Sequence, residues 1–96
     1  MKPSNALKVY REQIRDIIER HHAKNPRVFG SVLHESDEEG SDLDILIEPT
    51  HQTTLFDIGA MRHELIALLG VPVDILTPRA IPEKFRNKVL QEAKAI

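Results

Sequence analysis

Gly30-Ser31, ten intervening residues and then Asp42-Leu43-Asp44 pair a tight turn with two carboxylates two positions apart. Val28-Phe29 leads into the turn, and Leu43, Ile45, Leu46 and Ile47 surround the acids, so both halves lie on apolar, β-rich sequence. On a strand, side chains alternate between faces, which puts Asp42 and Asp44 on one face and Leu43, Ile45 and Ile47 on the other. Two adjacent anions repel, and an oxygen-only pair suits Mg²⁺ or Mn²⁺ better than Zn²⁺. Gly30 lets the backbone approach a ligand closely, and the turn's amides with the Ser31 hydroxyl can cradle nucleotide phosphates. A third carboxylate, Asp74, lies between Val73 and Ile75 in an otherwise apolar run. If that run is a strand beside Asp42-Leu43-Asp44, three carboxylates meet around one or two metal ions, the outline of a metal-dependent phosphoryl-transfer site. The two-residue spacing alone favours an ordinary solvent-facing strand; Gly30-Ser31 and Asp74 together favour the metal reading.

The elements that must position these residues follow from periodicity and breakers. Leu7, Tyr10, Ile14, Ile17 and Ile18 recur at helical spacing, predicting a helix over about 4–24 that stops before Asn25-Pro26. A short strand is expected over 27–32, a polar acidic connection over 34–40 and a second strand over 42–48. Thr54 with Asp57 forms an N-cap box for a helix carrying Leu55, Ile58, Met61, Leu65, Ile66 and Leu69, and Gly70 is its closing residue. Residues 71–77 read as a third strand. Pro82 opens a last helix with Phe85, Val89, Leu90 and Ala93 inward. The order is helix, strand, strand, helix, strand, helix, an α/β fold in which helices pack on a small mixed sheet.

Composition limits the partners. The 96 residues hold no internal repeat, and a single domain over 1–96 with a catalytic core over about 27–93 is expected. No apolar run nears the roughly 20 residues that span a bilayer, and Met1-Lys2-Pro3-Ser4-Asn5 is too polar for a signal peptide, so no membrane contact and a cytoplasmic location are expected. The absence of cysteine rules out disulfides and thiolate metal sites. Thirteen basic and fifteen acidic residues give a net charge of -2, without the footprint of a protein that binds nucleic acid directly.

On these residues the chain is similar to the minimal nucleotidyltransferases, the smallest branch of the polymerase-beta-like superfamily. Gly30, Ser31, Asp42, Asp44 and Asp74 stand at the signature positions, and Phe29, Ser41, Leu55-Phe56-Asp57 and Leu68-Leu69-Gly70-Val71-Pro72-Val73 also resemble the family. The resemblance spans roughly residues 27–93. It implies a small nucleotidyltransferase palm, Mg²⁺-dependent chemistry on ATP with Mn²⁺ as a substitute, and Asp42, Asp44 and Asp74 as catalytic and metal-binding residues. It further implies a hetero-oligomer with a HEPN-domain ribonuclease toxin, which members of the family neutralise as antitoxins, some by transferring AMP to a toxin tyrosine. One segment departs from the family: where Ala-Arg-Gly is frequent, this chain has Leu33-His34-Glu35. His34 is then a candidate phosphate contact, and Glu35 is expected to bring a negative charge near the phosphates.

The remaining polar residues carry less. His21-His22 falls near the end of the first helix, where imidazole complements the helix dipole. His51 reads as a loop residue and His63 as a helix-surface residue, neither with a partner at ligand spacing. Arg79, Lys84, Arg86 and Lys88 read as a solvated helix face, and Tyr10 as core. A bare palm has no domain to grip a template, so specificity must come from a partner that brings the acceptor hydroxyl to the nucleotide. Three functions follow in order: transfer of AMP to a partner protein, antitoxin action by binding alone, and nucleotidyl transfer to a small molecule.

Overall fold

A computed structural model describes residues 1–96. Pro3, whose missing N–H costs nothing at the first helical position, opens α1 (Pro3–Val9). Tyr10 leaves helical geometry at φ -111° and ψ 22°, and α2 (Arg11–Arg20) follows. The single helix expected over 4–24 is therefore two shorter ones. Hydrogen bonds still run through the break, from Tyr10 N–H to the Ala6 carbonyl at 3.0 Å and from Ile14 N–H to the Tyr10 carbonyl at 2.9 Å. The chain bends there while keeping Ala6, Leu7, Ile14, Ile17 and Ile18 buried.

After the turn at His21-His22, β1 (Ala23–Phe29) begins ahead of the strand expected over 27–32. The Asn25-Pro26 pair, which reads as a terminator, is a bulge inside the strand. Pairing with the next strand shifts between Lys24 and Arg27, and Asn25 takes a left-handed φ of 52°. A bulge is where a strand tolerates a proline that cannot donate.

The next strand, β2 (Leu43–Pro49), runs antiparallel to β1, and Asp42 stands just before it. Thr54 then caps α3 (Leu55–Leu69) in a reciprocal box with Asp57, and Gly70 closes it at φ 69°. Leu55 and Phe56, in its first turn, are 86% and 90% exposed, so only Met61, Leu65 and Leu69 of this helix are fully buried. Parallel to β2 lies β3 (Val73–Leu76), in the register Leu43 with Val73 and Asp44 with Asp74. A 3₁₀ turn (Pro78–Ala80) leads to α4 (Glu83–Glu92) and to β4 (Lys94–Ala95), which pairs antiparallel with β1. The strand order is β3-β2-β1-β4, a mixed sheet as expected, with β4 an addition that sequence pattern did not announce.

The two faces of the sheet differ. Val28, Leu43, Ile45, Ile47 and Val73 join Ile14, Ile18, Met61 and Leu65 in one buried cluster beneath α1, α2 and α3. On the other face Leu46 and Ile81 are buried outside that cluster, where the 3₁₀ turn packs on β2 and α4 packs on the turn. No residue of α4 is fully buried, and Phe85, expected inward, is 53% exposed. Arg86 holds this layer together instead. Its guanidinium donates to the carbonyls of Pro78 at 2.9 Å and Ile81 at 3.0 Å, so it belongs to the fold and not to a solvated face.

Candidate active site

Alternation along β2 decides the site. Leu43, Ile45 and Ile47 are fully buried on the helical face, each worth about 1.5 to 3 kcal/mol on burial, and they hold the strand in one register. Asp44 must then project from the opposite face. Parallel pairing sets Asp74 beside it, and Asp42 enters from the end of the loop before β2. One carboxylate oxygen from each of Asp42, Asp44 and Asp74 lies within 4.8 Å of the others. The three acids singled out from the sequence thus come together.

Their charges are not neutralised by the protein. Burial first, then the charges of Asp74 and Asp42, push the Asp44 carboxyl up to about 6. Asp74 is also raised, by burial and by its contact with Asp42, with Arg62 opposing. Arg62 reaches from α3 to donate to the Val73 carbonyl at 2.8 Å, covering the outer edge of β3 next to Asp74. No motif or spacing in the sequence marks Arg62. Three hard oxygen donors that repel when ionised fit a divalent cation of the Mg²⁺ or Mn²⁺ kind.

Gly30 is required by this geometry for two reasons. Its φ is 77°, and a Cβ at this position would collide with the Asp44 carboxylate. The pairing of Phe29 with Asp44 carries the turn to that side chain. Beyond Gly30 the chain coils tightly: the Gly30 carbonyl accepts from His34 N–H at 3.1 Å and the Ser31 carbonyl from Ser36 N–H at 2.9 Å. The N–H groups of Ser31, Val32 and Leu33 take no part in backbone hydrogen bonds, which leaves them free as donors to an anion.

The segment that replaces Ala-Arg-Gly is turned to other partners. His34 Nε2 lies 3.3 Å from Glu92 Oε2 at the end of α4, and Glu35, at φ 56°, lines a cleft together with Val28, whose neighbour in the register, Ile45, belongs to the helical face. Asp37, read only as part of an acidic connection, is 8% exposed and accepts the Ser4 N–H at 2.9 Å. It caps α1 from a distance, in place of the absent local cap at Lys2. His21 joins α2 to α3 through Glu64 at 2.7 Å, and His22 lies 3.4 Å from Asp57.

Residues 12–96 match the family described as Polymerase beta, Nucleotidyltransferase. The chain belongs to this family. A candidate protein adenylyltransferase of Methanocaldococcus jannaschii is 34% identical over 83 residues, 86% of this chain and 89% of the relative. A second one from the same organism is 30% identical over 93 residues, covering 96% and 95%. Among solved structures, a candidate minimal nucleotidyltransferase superposes with a TM-score of 0.83 at 38% identity, over 97% of this chain and 93% of that one. A toxin-antitoxin crystal structure with AMP-PNP matches at a TM-score of 0.73 and 17% identity, over 88% and 69%, and shares the fold. This nucleotidyltransferase has no helix long and apolar enough to cross a membrane.

Proposed function

We propose that the chain transfers AMP from ATP to a hydroxyl of a partner protein, a tyrosine of a HEPN-type ribonuclease toxin, and so acts as its antitoxin in a hetero-oligomer. The convergence of Asp42, Asp44 and Asp74 within 4.8 Å carries the reading. Relatives named as protein adenylyltransferases support the class of acceptor, and a toxin-antitoxin structure of the same fold that contains AMP-PNP supports the kind of partner.

In this reading Asp42, Asp44 and Asp74 hold Mg²⁺, or Mn²⁺ in its place. A divalent cation there supplies charge neutralisation to the triphosphate. Gly30 and the free amides after it bind phosphate oxygens, with Ser31 adding its hydroxyl. Asp74, on the edge strand β3, accepts the proton of the tyrosine hydroxyl as its oxygen bonds to the α-phosphorus. The bond from the α-phosphorus to the bridging oxygen breaks, pyrophosphate leaves, and AMP remains on the partner. The partner itself supplies proximity by bringing its hydroxyl to the nucleotide.

The test is the intact mass of a HEPN-type toxin co-expressed with this chain, taken after incubation with the chain, ATP and Mg²⁺. The toxin should gain one or more AMP units and lose toxicity. Asp42→Asn and Asp74→Asn, which change little volume, should keep the complex and abolish the gain. Variants that still rescue growth, beside a wild type that leaves the toxin unmodified, would replace transfer with antitoxin action by binding alone.

A further inference from the structure

A cleft of about 430 Å³ opens between α1, the start of α2, the coiled segment after Gly30, and β4. Its position relative to the acids follows from register. Val28 lines it and pairs with Ile45 on the helical face, whereas Phe29 pairs with Asp44. Lys94, opposite Val28 across the β1–β4 pair, shares Val28's face. The cleft and the acid cluster therefore lie on opposite sides of the sheet.

Charge marks this cleft, because four cations gather around one opening. Elsewhere Arg15, Arg20 and Arg27 are engaged with carboxylates and Arg62 and Arg86 with backbone carbonyls, whereas Arg79, Lys24, Lys84 and Lys88 form no ion pair and line no cleft. Lys2, Lys8, Arg11 and Lys94 all line the cleft, and none forms an ion pair. Of the two carboxylates in the lining, Asp37 is committed to Ser4. A chain of net charge -2 thus gathers four unpaired cations around one opening. The floor is apolar, with Leu7 and Val32 buried at its base.

We propose that this cleft is a docking site for an acidic segment of the partner protein, anchored by an apolar side chain on the floor and by carboxylates on the cationic rim. An apolar centre within a charged rim is the anatomy of a protein contact. A nucleic-acid strand fits less well, because the floor is apolar and the chain as a whole does not attract polyanions. The proposal deepens the partner half of the proposed function and is independent of its chemistry. Because Val32 and Glu35 follow Gly30-Ser31 directly, an occupant of the cleft touches the same coil that borders Asp44 on the other side.

The probe is a short fluorescein-labelled peptide in which leucines alternate with pairs of glutamates, added to the full chain and followed by anisotropy and amide NMR. Binding should perturb the amides of Lys8, Arg11, Val32 and Lys94 and fade with added salt. It should weaken about tenfold in Lys8→Glu/Arg11→Glu, two exposed substitutions. The Asp42→Asn/Asp44→Asn chain should bind the peptide as the wild type does. Absence of binding, equal binding by the charge-reversed chain, or perturbation centred on the acid cluster would overturn the proposal. So would a single-stranded oligonucleotide of the same charge that takes the cleft as tightly. None of these readouts uses AMP transfer, so the docking site and the transfer reaction stand or fall separately.

Discussion

Asp37 and Asp44 are both drawn into the protein, and the surroundings treat them in opposite ways. Asp37 meets an N–H at the start of α1, and hydrogen bonding to Ser4 lowers its carboxyl below the ordinary range. Asp44 meets two more carboxylates, and burial with those charges raises it. One acid completes a helix; the other stands among like charges. The first carboxylate is satisfied within the fold by a distant residue, and the second is not, which is the pattern expected of the proposed ligand site.

The largest effect should come from forcing the Asp44 side apart. Gly30→Ala adds a Cβ against the Asp44 carboxylate at a left-handed φ, and about 2 to 3 kcal/mol of stability should be lost in denaturant unfolding, together with AMP transfer. Full stability in that variant would mean that the turn relaxes freely and does not shape the acid cluster.

Exchange of the two acids should then give opposite signs. Asp37→Ala removes a cap and should cost about 1 kcal/mol. Asp44→Asn removes like-charge repulsion and, with the shift discounted for solvent screening, should stabilise the cation-free chain by about 1 kcal/mol at neutral pH while ending transfer. The pH dependence carries the same contrast. Because the folded-state value of Asp44 lies above the unfolded one, the folded chain binds more protons, and stability in EDTA should fall as pH rises from about 4 to about 6. Asp37 works the other way, its contribution being complete above the ordinary carboxylate range and lost as pH falls through its lowered value. Asn at position 44 should reduce the first slope to what the raised Asp74 contributes and leave the second, as read by thermal melts across pH.

The smallest effect belongs to an exposed pair outside the comparison. His34→Ala should change stability by no more than about 0.5 kcal/mol, since its contact with Glu92 is solvent-exposed. A larger loss would show that the coil after Gly30 is braced by α4 as firmly as α1 is by Asp37.

What was legible in the sequence shares a local cause. The alternation that separates Asp44 from Ile45, the Thr54-Asp57 box and the left-handed Gly70 each act within a few residues, and each stands where expected. The three acids were recoverable because strand periodicity and one parallel pairing suffice to join them. The misses come from longer range. Nothing near Tyr10 breaks a helix, so the bend between α1 and α2 is imposed by packing, and the apolar stripe runs on through it. Asn25-Pro26 carries the chemistry of a stop and is absorbed as a bulge by pairing with β2. Two residues, Lys94 and Ala95, are too few to signal a strand, and Asp37 is one acid among Glu35, Glu38 and Glu39 until the fold brings Ser4 to it.

The parallel register of β2 and β3 has a consequence for how the site is assembled. Leu43 faces Val73 and Asp44 faces Asp74, so sliding β3 by one residue would turn Asp74 into the oily layer under α3 and expel Val73 to water. Such a slip exposes an apolar side chain and entombs a charge, and the misaligned chain would not persist. The acid cluster is therefore proofread by residues that never touch a substrate. A molecule that has folded has already set Asp44 beside Asp74.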